Sequence, residues 1–380
     1  MQQTKEQDPI SSAGKHAADE NQRRLREAKV RDLTAEKRRI VEVPHTASLA
    51  HTMNALVANK VVAVPVAAPP GQWIGAGGSM IMESDKQTGA VRKHYIGMLT
   101  MLDILAHIAG DDQMNGGDDA PDDLDKKMSA TVSSIIGHCP EGLSLWTLSP
   151  NTSILDCMEV FSKGIHRALV PMDSRMENIS GVELVEFASS YQMLTQMDLL
   201  RFMMNHASEL KDITSHSIRE LGALNENIFA ITESTKVIDA IKCMRVALLH
   251  AVPIVKSSSA TEEDPKKLIN GNGRRLIGTF SATDLRGCHH AVLQTWLPLT
   301  ALEFTQQVLT SPLFSESNNT QQRELVTCQV DSPLSEVISK ALTKHVHRVW
   351  VVDQQRLLLG LVSLTDMIRV LRTSILADFQ

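Results

Sequence analysis

Apolar residues follow two alternating rhythms along the chain. The first is an amphipathic helical spacing, seen in SLAHTMNALVAN, TSILDCMEVFSK, TKVIDAIKCMRV and PLSEVISKALTK, where Leu49/Met53, Ile154/Met158, Val237/Ile241 and Leu334/Ile338 recur four residues apart. That spacing sets one apolar stripe on each helix, suited to packing against a sheet. The second is a continuous apolar run directly after each helix: VVAVPV, RALVP, HAVPIV and RVWVV. Unbroken runs of this length predict strands buried on both faces.

A third feature follows each run after a hairpin loop of variable length. Another β-rich segment ends in a hydroxyl residue, and three residues later comes an aspartate: YIGMLTMLD, QMLTQMD, LIGTFSATD and LLGLVSLTD. The shared pattern is Thr100…Asp103, Thr195…Asp198, Ser281…Asp284 and Ser363…Asp366, with the aspartates 95, 86 and 82 residues apart. At the end of a strand this spacing starts a helix. The hydroxyl caps the first unpaired N–H groups, and the acid in the first turn meets the positive end of the helix dipole. Helical apolar patterns follow each motif, weakest in the third copy, Leu285-Arg286-Gly287-Cys288. Any one motif by itself reads more readily as a cap and nothing more. Four at a near-constant period define an internal repeat of strand, helix, strand, hairpin, strand, helix.

The repeats are expected at 28–110, 128–207, 212–293 and 300–375, after a disordered tail at 1–27 and around an acidic, Gly-rich linker at 111–127. Two modules of two repeats each are expected, joined near Asn205–Thr214. The fold class is α/β (α+β). This unit resembles the CBS domain, and four copies resemble a gamma regulatory subunit of the AMP-activated protein kinase family. The wording NALVANKVVAVPV, KGIHRALVP, HVHRVWVVD and GLVSLTD is most similar to plant gamma-like subunits of sucrose-non-fermenting-type kinases, and the resemblance spans about residues 30–375.

The resemblance implies repeats paired sheet to sheet about pseudo-twofold axes, two pairs forming a disc with clefts facing its centre. It implies AMP, ADP or ATP as regulatory ligands, with no required cofactor, and a kinase catalytic (alpha) subunit and a beta subunit as partners. Ribose contacts would fall to Asp103, Asp198, Asp284 and Asp366, supported by the hydroxyls of Thr100, Thr195, Ser281, Ser363 and Thr365. Phosphate contacts would fall to His166, Arg167, His347 and Arg348, which precede the apolar strands of repeats two and four. A guanidinium suits phosphate through paired, charge-assisted hydrogen bonds. The odd repeats depart from this pattern: repeat one has Val62, and in repeat three the slot reads near Leu248-Leu249, with His250 just after. The alternative expectation is a CBS interaction scaffold that no longer binds nucleotide.

Composition narrows the remaining classes. The chain has 380 residues, 43% hydrophobic and 22% charged, as expected of a soluble globular protein, and the net charge of −6 with 4% aromatics argues against nucleic-acid binding. The longest apolar stretch, Val61–Ala68, ends at Pro69-Pro70, far short of the ~20 residues of a membrane-spanning helix. The polar N-terminus lacks a secretory h-region, and five scattered cysteines (Cys139, Cys157, Cys243, Cys288, Cys328) suit reduced thiols in the cytoplasm or nucleus. Gly75–Ser79 lacks the lysine of a phosphate loop, Asp111–Asp122 lacks the terminal glutamate of a calcium loop, and Cys288-His289-His290 has no partner cluster for a metal. The repeats take up almost all of the chain, so no catalytic residues and no catalytic domain are expected.

Overall fold

Each repeat begins with a short strand that pairs in parallel with the apolar strand after the first helix, and that strand pairs antiparallel with the strand ending in the hydroxyl residue. The order holds four times in the computed structural model: Val43–Pro44, Ala63–Ala67 and Tyr95–Thr100; Trp146–Thr147, Arg167–Pro171 and Tyr191–Thr195; Phe229–Thr232, Ala251–Val255 and Leu276–Ser281; Thr327–Cys328, Arg348–Val352 and Leu358–Ser363. Repeat three adds an edge strand, Ile269–Asn270. The structure describes residues 25, 27–35, 37–69, 94–110, 123–136, 145–172, 178–179, 182–183, 190–258, 263–288, 290–310 and 325–377. Residues 1–24, the Gly75–Ser79 loop, residues 111–122, Cys139 and His289 lie outside them.

The helices appear where the apolar stripes put them, at Leu49–Ala58, Ile154–Ser162, Val237–Val246 and Leu334–Thr343. After each hydroxyl residue the chain turns into a second helix: Met101–Ala109, Gln196–Asn205 and Leu364–Ala377. The third copy differs. A 3-10 turn at Asp284–Gly287 interrupts it before His290–Trp296, at the one copy that carries a glycine inside the first turns. Two sequence-drawn boundaries move outward. Leu25, assigned to a disordered tail, is a buried core residue, and the end of the acidic linker belongs to a helix, Asp123–Ser129.

Neighbouring repeats exchange backbone hydrogen bonds reciprocally. Leu49 N donates to Ala130 O at 2.9 Å, and Val132 N to Ala47 O at 2.9 Å; Val30 N donates to Thr152 O at 2.9 Å, and Ile154 N to Ala28 O at 3.1 Å. Repeats three and four repeat the scheme: Ile218 N to Ser332 O at 3.1 Å with Leu334 N to His216 O at 2.9 Å, and Val237 N to Leu299 O at 2.8 Å with Ala301 N to Thr235 O at 2.8 Å. The segment ahead of each repeat is therefore bonded to its pair partner at the start of the partner's first helix. These bonds leave few orphan N–H groups at the helix starts.

Sheet faces meet within a pair. Leu169 and Tyr191 pack with Tyr95 and Ile40 between repeats one and two, and Ile228, Val255 and Leu276 pack with Trp350 and Leu358 between repeats three and four. Helix faces meet across pairs. Repeats one and three share a core around Met53, Leu105, Met244 and Phe280, while two and four share another around Phe161, Leu200, Ile338 and Leu371. These contacts close a ring in the order one, two, four, three, with the openings of the Ala63, Arg167, Ala251 and Arg348 strands directed to its middle.

Candidate functional site

Strand register defines the basic slot of each repeat. Ala63 pairs with Thr100, Arg167 with Thr195, Ala251 with Ser281 and Arg348 with Ser363, so these four residues are equivalent. Each stands three residues after a positive-φ position: Lys60 (φ 55°), Gly164 (91°), Leu248 (55°) and His345 (51°). The slot in repeat three is therefore Ala251, not Leu248-Leu249, and His250 is the counterpart of His166 and His347. The sequence misaligned this turn because leucine rarely adopts a left-handed backbone, where glycine or asparagine would have marked it. Val62 is the repeat-one counterpart of the three histidines. Arginine in the even repeats thus corresponds to alanine in the odd ones.

A cavity of about 200 Å³ opens where these slots converge. It is lined by His166, Arg167, His250, His347 and Arg348, by Ser281, Thr283 and Asp284 of repeat three, and by Thr100 and Val62 of repeat one. Apolar walls come from Ile277, Leu302, Val326 and Val346. Asp103, Asp198 and Asp366 are not among the lining residues.

Arg348 is held on one side only. Its Nη1 donates to Ala251 O at 2.9 Å, while its Nε is sealed from solvent without a hydrogen-bond partner. Burial pushes its pKa down to about 10, opposed by the nearby Asp366 carboxylate, so it stays cationic at neutral pH. His347 is enclosed by protein yet has a solvent-exposed surface because it faces the cavity. Enclosure, then Arg167, Arg348, His166 and His250, push its pKa down to about 3. At neutral pH His347 is a neutral hydrogen-bonding group. The His166 and His250 rings meet edge-on, 5.0 Å apart.

The four repeat aspartates serve first as helix starters. Thr100 N and Oγ1 donate to Asp103 Oδ2 at 2.7 and 2.6 Å, Thr195 N and Oγ1 to Asp198 Oδ2 at 2.8 and 2.6 Å, and Ser363 N and Oγ to Asp366 Oδ2 at 3.0 and 2.5 Å. Asp284, buried at the broken helix of repeat three, accepts from Ser281 N at 2.8 Å. Asp366 also meets Arg369 of its own helix at 3.4 Å, and Asp198 is paired with Lys37. Thr365 lies at the interface of repeats two and four, where its Oγ1 accepts from Gln196 Nε2 at 2.8 Å. The structure thus brings His166, Arg167, His347, Arg348, Asp284, Ser281 and Thr100 together, and sets Asp103, Asp198, Asp366, Thr195, Ser363 and Thr365 apart from this cavity. Sequence reasoning missed the equivalence of His250 with His166 and His347; its signal was a histidine two residues after the turn and directly before the strand, visible only once Leu248 was aligned with Gly164.

The donor set fits an adenine nucleotide. Two guanidinium groups answer phosphate, a buried carboxylate beside hydroxyls answers a ribose diol, and apolar walls answer a base. Among the described residues, no cluster of three or more His, Cys, Asp or Glu side chains has the arrangement to hold a metal ion, and no helix is long and apolar enough to cross a membrane.

Comparison with known proteins places the chain among its relatives. A family profile described as CBS domain matches residues 321–373. The chain is 61% identical over 360 residues to the SNF1-related protein kinase regulatory subunit gamma-like PV42a of Arabidopsis thaliana, covering 94% of this chain and 98% of that protein. It is 58% identical over 354 residues to PV42b of the same plant, covering 93% and 97%. Among solved structures, protein MJ1225 of Methanocaldococcus jannaschii superposes with a TM-score of 0.58 at 15% identity, over 90% of this chain and 99% of that one.

Proposed function

Because the chain belongs to the family of SNF1-related protein kinase gamma-like regulatory subunits, we propose that it is a non-catalytic regulatory subunit whose central cavity takes an adenine nucleotide and which acts in a complex with a kinase catalytic subunit and a beta subunit. The observation that carries the ligand is the meeting of Arg167 and Arg348 with Asp284 around one cavity. Phosphates lie against the two guanidinium groups and His166, His250 and His347. Neutral His347 donates or accepts a hydrogen bond as the ligand requires. The ribose lies against Asp284, with Ser281 and Thr283 beside it, and the base against Val326 and Val346. This puts the ribose contact on repeat three, one of the four aspartates that the family resemblance nominates.

Binding at this site converts nucleotide level into a change at the kinase, since the cavity draws on all four repeats and a ligand there bears on both pairs at once. Calorimetric titration of the full chain with AMP, ADP, ATP and adenosine tests the reading. Saturable binding of a nucleotide, weakened in Arg167→Ala and Arg348→Ala, supports it. A folded chain that takes up none of them but still captures the kinase catalytic subunit overturns the nucleotide role and leaves an interaction scaffold.

A further inference from the structure

Away from the central cavity, Asp198 holds a cation from a distant part of the chain. Its Oδ2, already the acceptor for Thr195 N and Oγ1, also accepts from Lys37 Nζ, across 161 residues of sequence. Lys37 is fixed by more than charge. Its Nζ donates to Met193 O at 2.7 Å, and the buried Gln192 donates through Nε2 to Lys37 O at 2.8 Å. A few residues on, Glu42 Oε2 accepts from Tyr95 OH at 2.5 Å, and Tyr95 packs edge-on against Tyr191 with ring centres 5.5 Å apart. The segment from Lys37 to Glu42 is therefore tied down across the facing sheets of repeats one and two.

Its position matches the wall of the central cavity. There, Leu325 and Val326 lead into the Thr327–Cys328 strand of repeat four and lie opposite Asp284 of repeat three. Ile40 and Val41 hold the corresponding places ahead of the Val43–Pro44 strand of repeat one, since Val43 and Cys328 pair at equivalent positions of their partner strands, and the other repeat of this pair carries Asp198. By this correspondence Asp198 holds in the first pair the place that Asp284 holds in the second, and Lys37 sits at that aspartate. An ammonium and a ribose diol compete for the same thing, the lone pairs of one carboxylate.

We propose that Lys37 is an internal ligand of a second nucleoside cleft at Asp198, so that the native chain takes one nucleotide, at Asp284, and loss of the Lys37 ammonium opens a second site. This rests on the nucleotide reading of the central cavity. The Lys37 and Asp198 side chains are 25% and 15% exposed, so an incoming ligand has to displace a pair that is largely shielded from screening water. The cleft is closed by competition, and a cation at position 37 is all that the closure needs.

Titration calorimetry of the full chain with AMP separates the outcomes. One equivalent is expected for the native chain and for Lys37→Arg, and two for Lys37→Met and Lys37→Gln, which keep the length of the stem without the charge. The second equivalent should vanish in Lys37→Met combined with Asp198→Asn. One equivalent in every folded variant, or two in the native chain, overturns the internal ligand and leaves the central site standing. Failure of both the Met and Gln variants to fold makes the pair a structural tie and overturns the proposal as well. Absence of AMP binding in all of them removes the nucleotide reading and this inference together, whereas one equivalent in Lys37→Met alone, none in the native chain, upholds the cleft at Asp198 and removes the site at Asp284.

Discussion

Arg348 donates through Nη1 to the carbonyl oxygen of Ala251 at 2.9 Å, although the two residues open equivalent strands of different repeats. The acceptor is a backbone carbonyl, so the bond ties the Arg348 side chain to the strand opening of the neighbouring repeat. It delivers Arg348 to the cavity with one bond made and its Nε unmet.

Arg348→Ala should weaken AMP and ATP binding by about 10- to 150-fold, the equivalent of roughly 1.5–3 kcal/mol for one lost charge-assisted hydrogen bond. Adenosine, which has no phosphate, should bind the variant as it binds the native chain. Stability should change little, because the lost bond to Ala251 is offset by removal of a buried, unpaired donor. Calorimetry with AMP and adenosine, beside a thermal melt, checks all three statements. Equal losses for both ligands would put Arg348 in a structural role.

Asp284 and Asp366 separate the ribose reading from the capping reading. Asp284→Asn keeps an oxygen for Ser281 N but loses the charge, so adenosine and AMP should weaken together, again by roughly 10- to 150-fold. Asp366→Asn lies outside the cavity lining and should leave both affinities unchanged, at a stability cost on the order of 0.5–1 kcal/mol from its first-turn position. A larger binding defect in Asp366→Asn than in Asp284→Asn would move the ribose to repeat four.

The repeat architecture was legible because its signals are local. A hydroxyl with an acid three residues later specifies a helix start whatever surrounds it, and Thr100/Asp103 and Thr195/Asp198 form complete reciprocal caps. Placement of the sites was less legible because it depends on distant contacts. No residue near Asp198 announces Lys37, and no side-chain pattern marks the exchange of backbone bonds between Ala47 and Val132. Within repeat three, Leu248 at φ 55° hid the alignment that makes His250 a cavity residue.

Phe161 tests the crosswise helical cores. It is fully buried where the Ile154–Ser162 helix meets the Leu364–Ala377 helix, and its carbonyl accepts from Gln196 Nε2 at 3.0 Å. Phe161→Ala should cost about 3–5 kcal/mol by loss of transfer energy and creation of a cavity. Amide exchange should then rise in the Leu364–Ala377 helix of repeat four as well as in repeat two, because the two share one core. Protection lost in repeat two alone would mean that the cores of the two pairs open independently.

His347 predicts how stability follows pH. Its pKa in the folded chain is pushed below the ordinary 6.5, to about 3, by enclosure and by its cationic neighbours. Above pH 6.5 the imidazole is neutral in folded and unfolded chains alike, so it gives no pH dependence there. As pH falls from 6.5 toward 3, the unfolded chain takes up a proton that the folded chain refuses, and stability declines. His347→Gln has no proton to bind, so its urea midpoint should drop less between pH 7 and pH 5 than that of the native chain. Saturating AMP should narrow the difference, because a phosphate beside His347 favours the imidazolium and raises the folded pKa. Urea titrations at both pH values, with and without AMP, measure this. Parallel declines in the native chain and His347→Gln would show that another group sets the acid limb, and His347 would then titrate as an ordinary surface histidine.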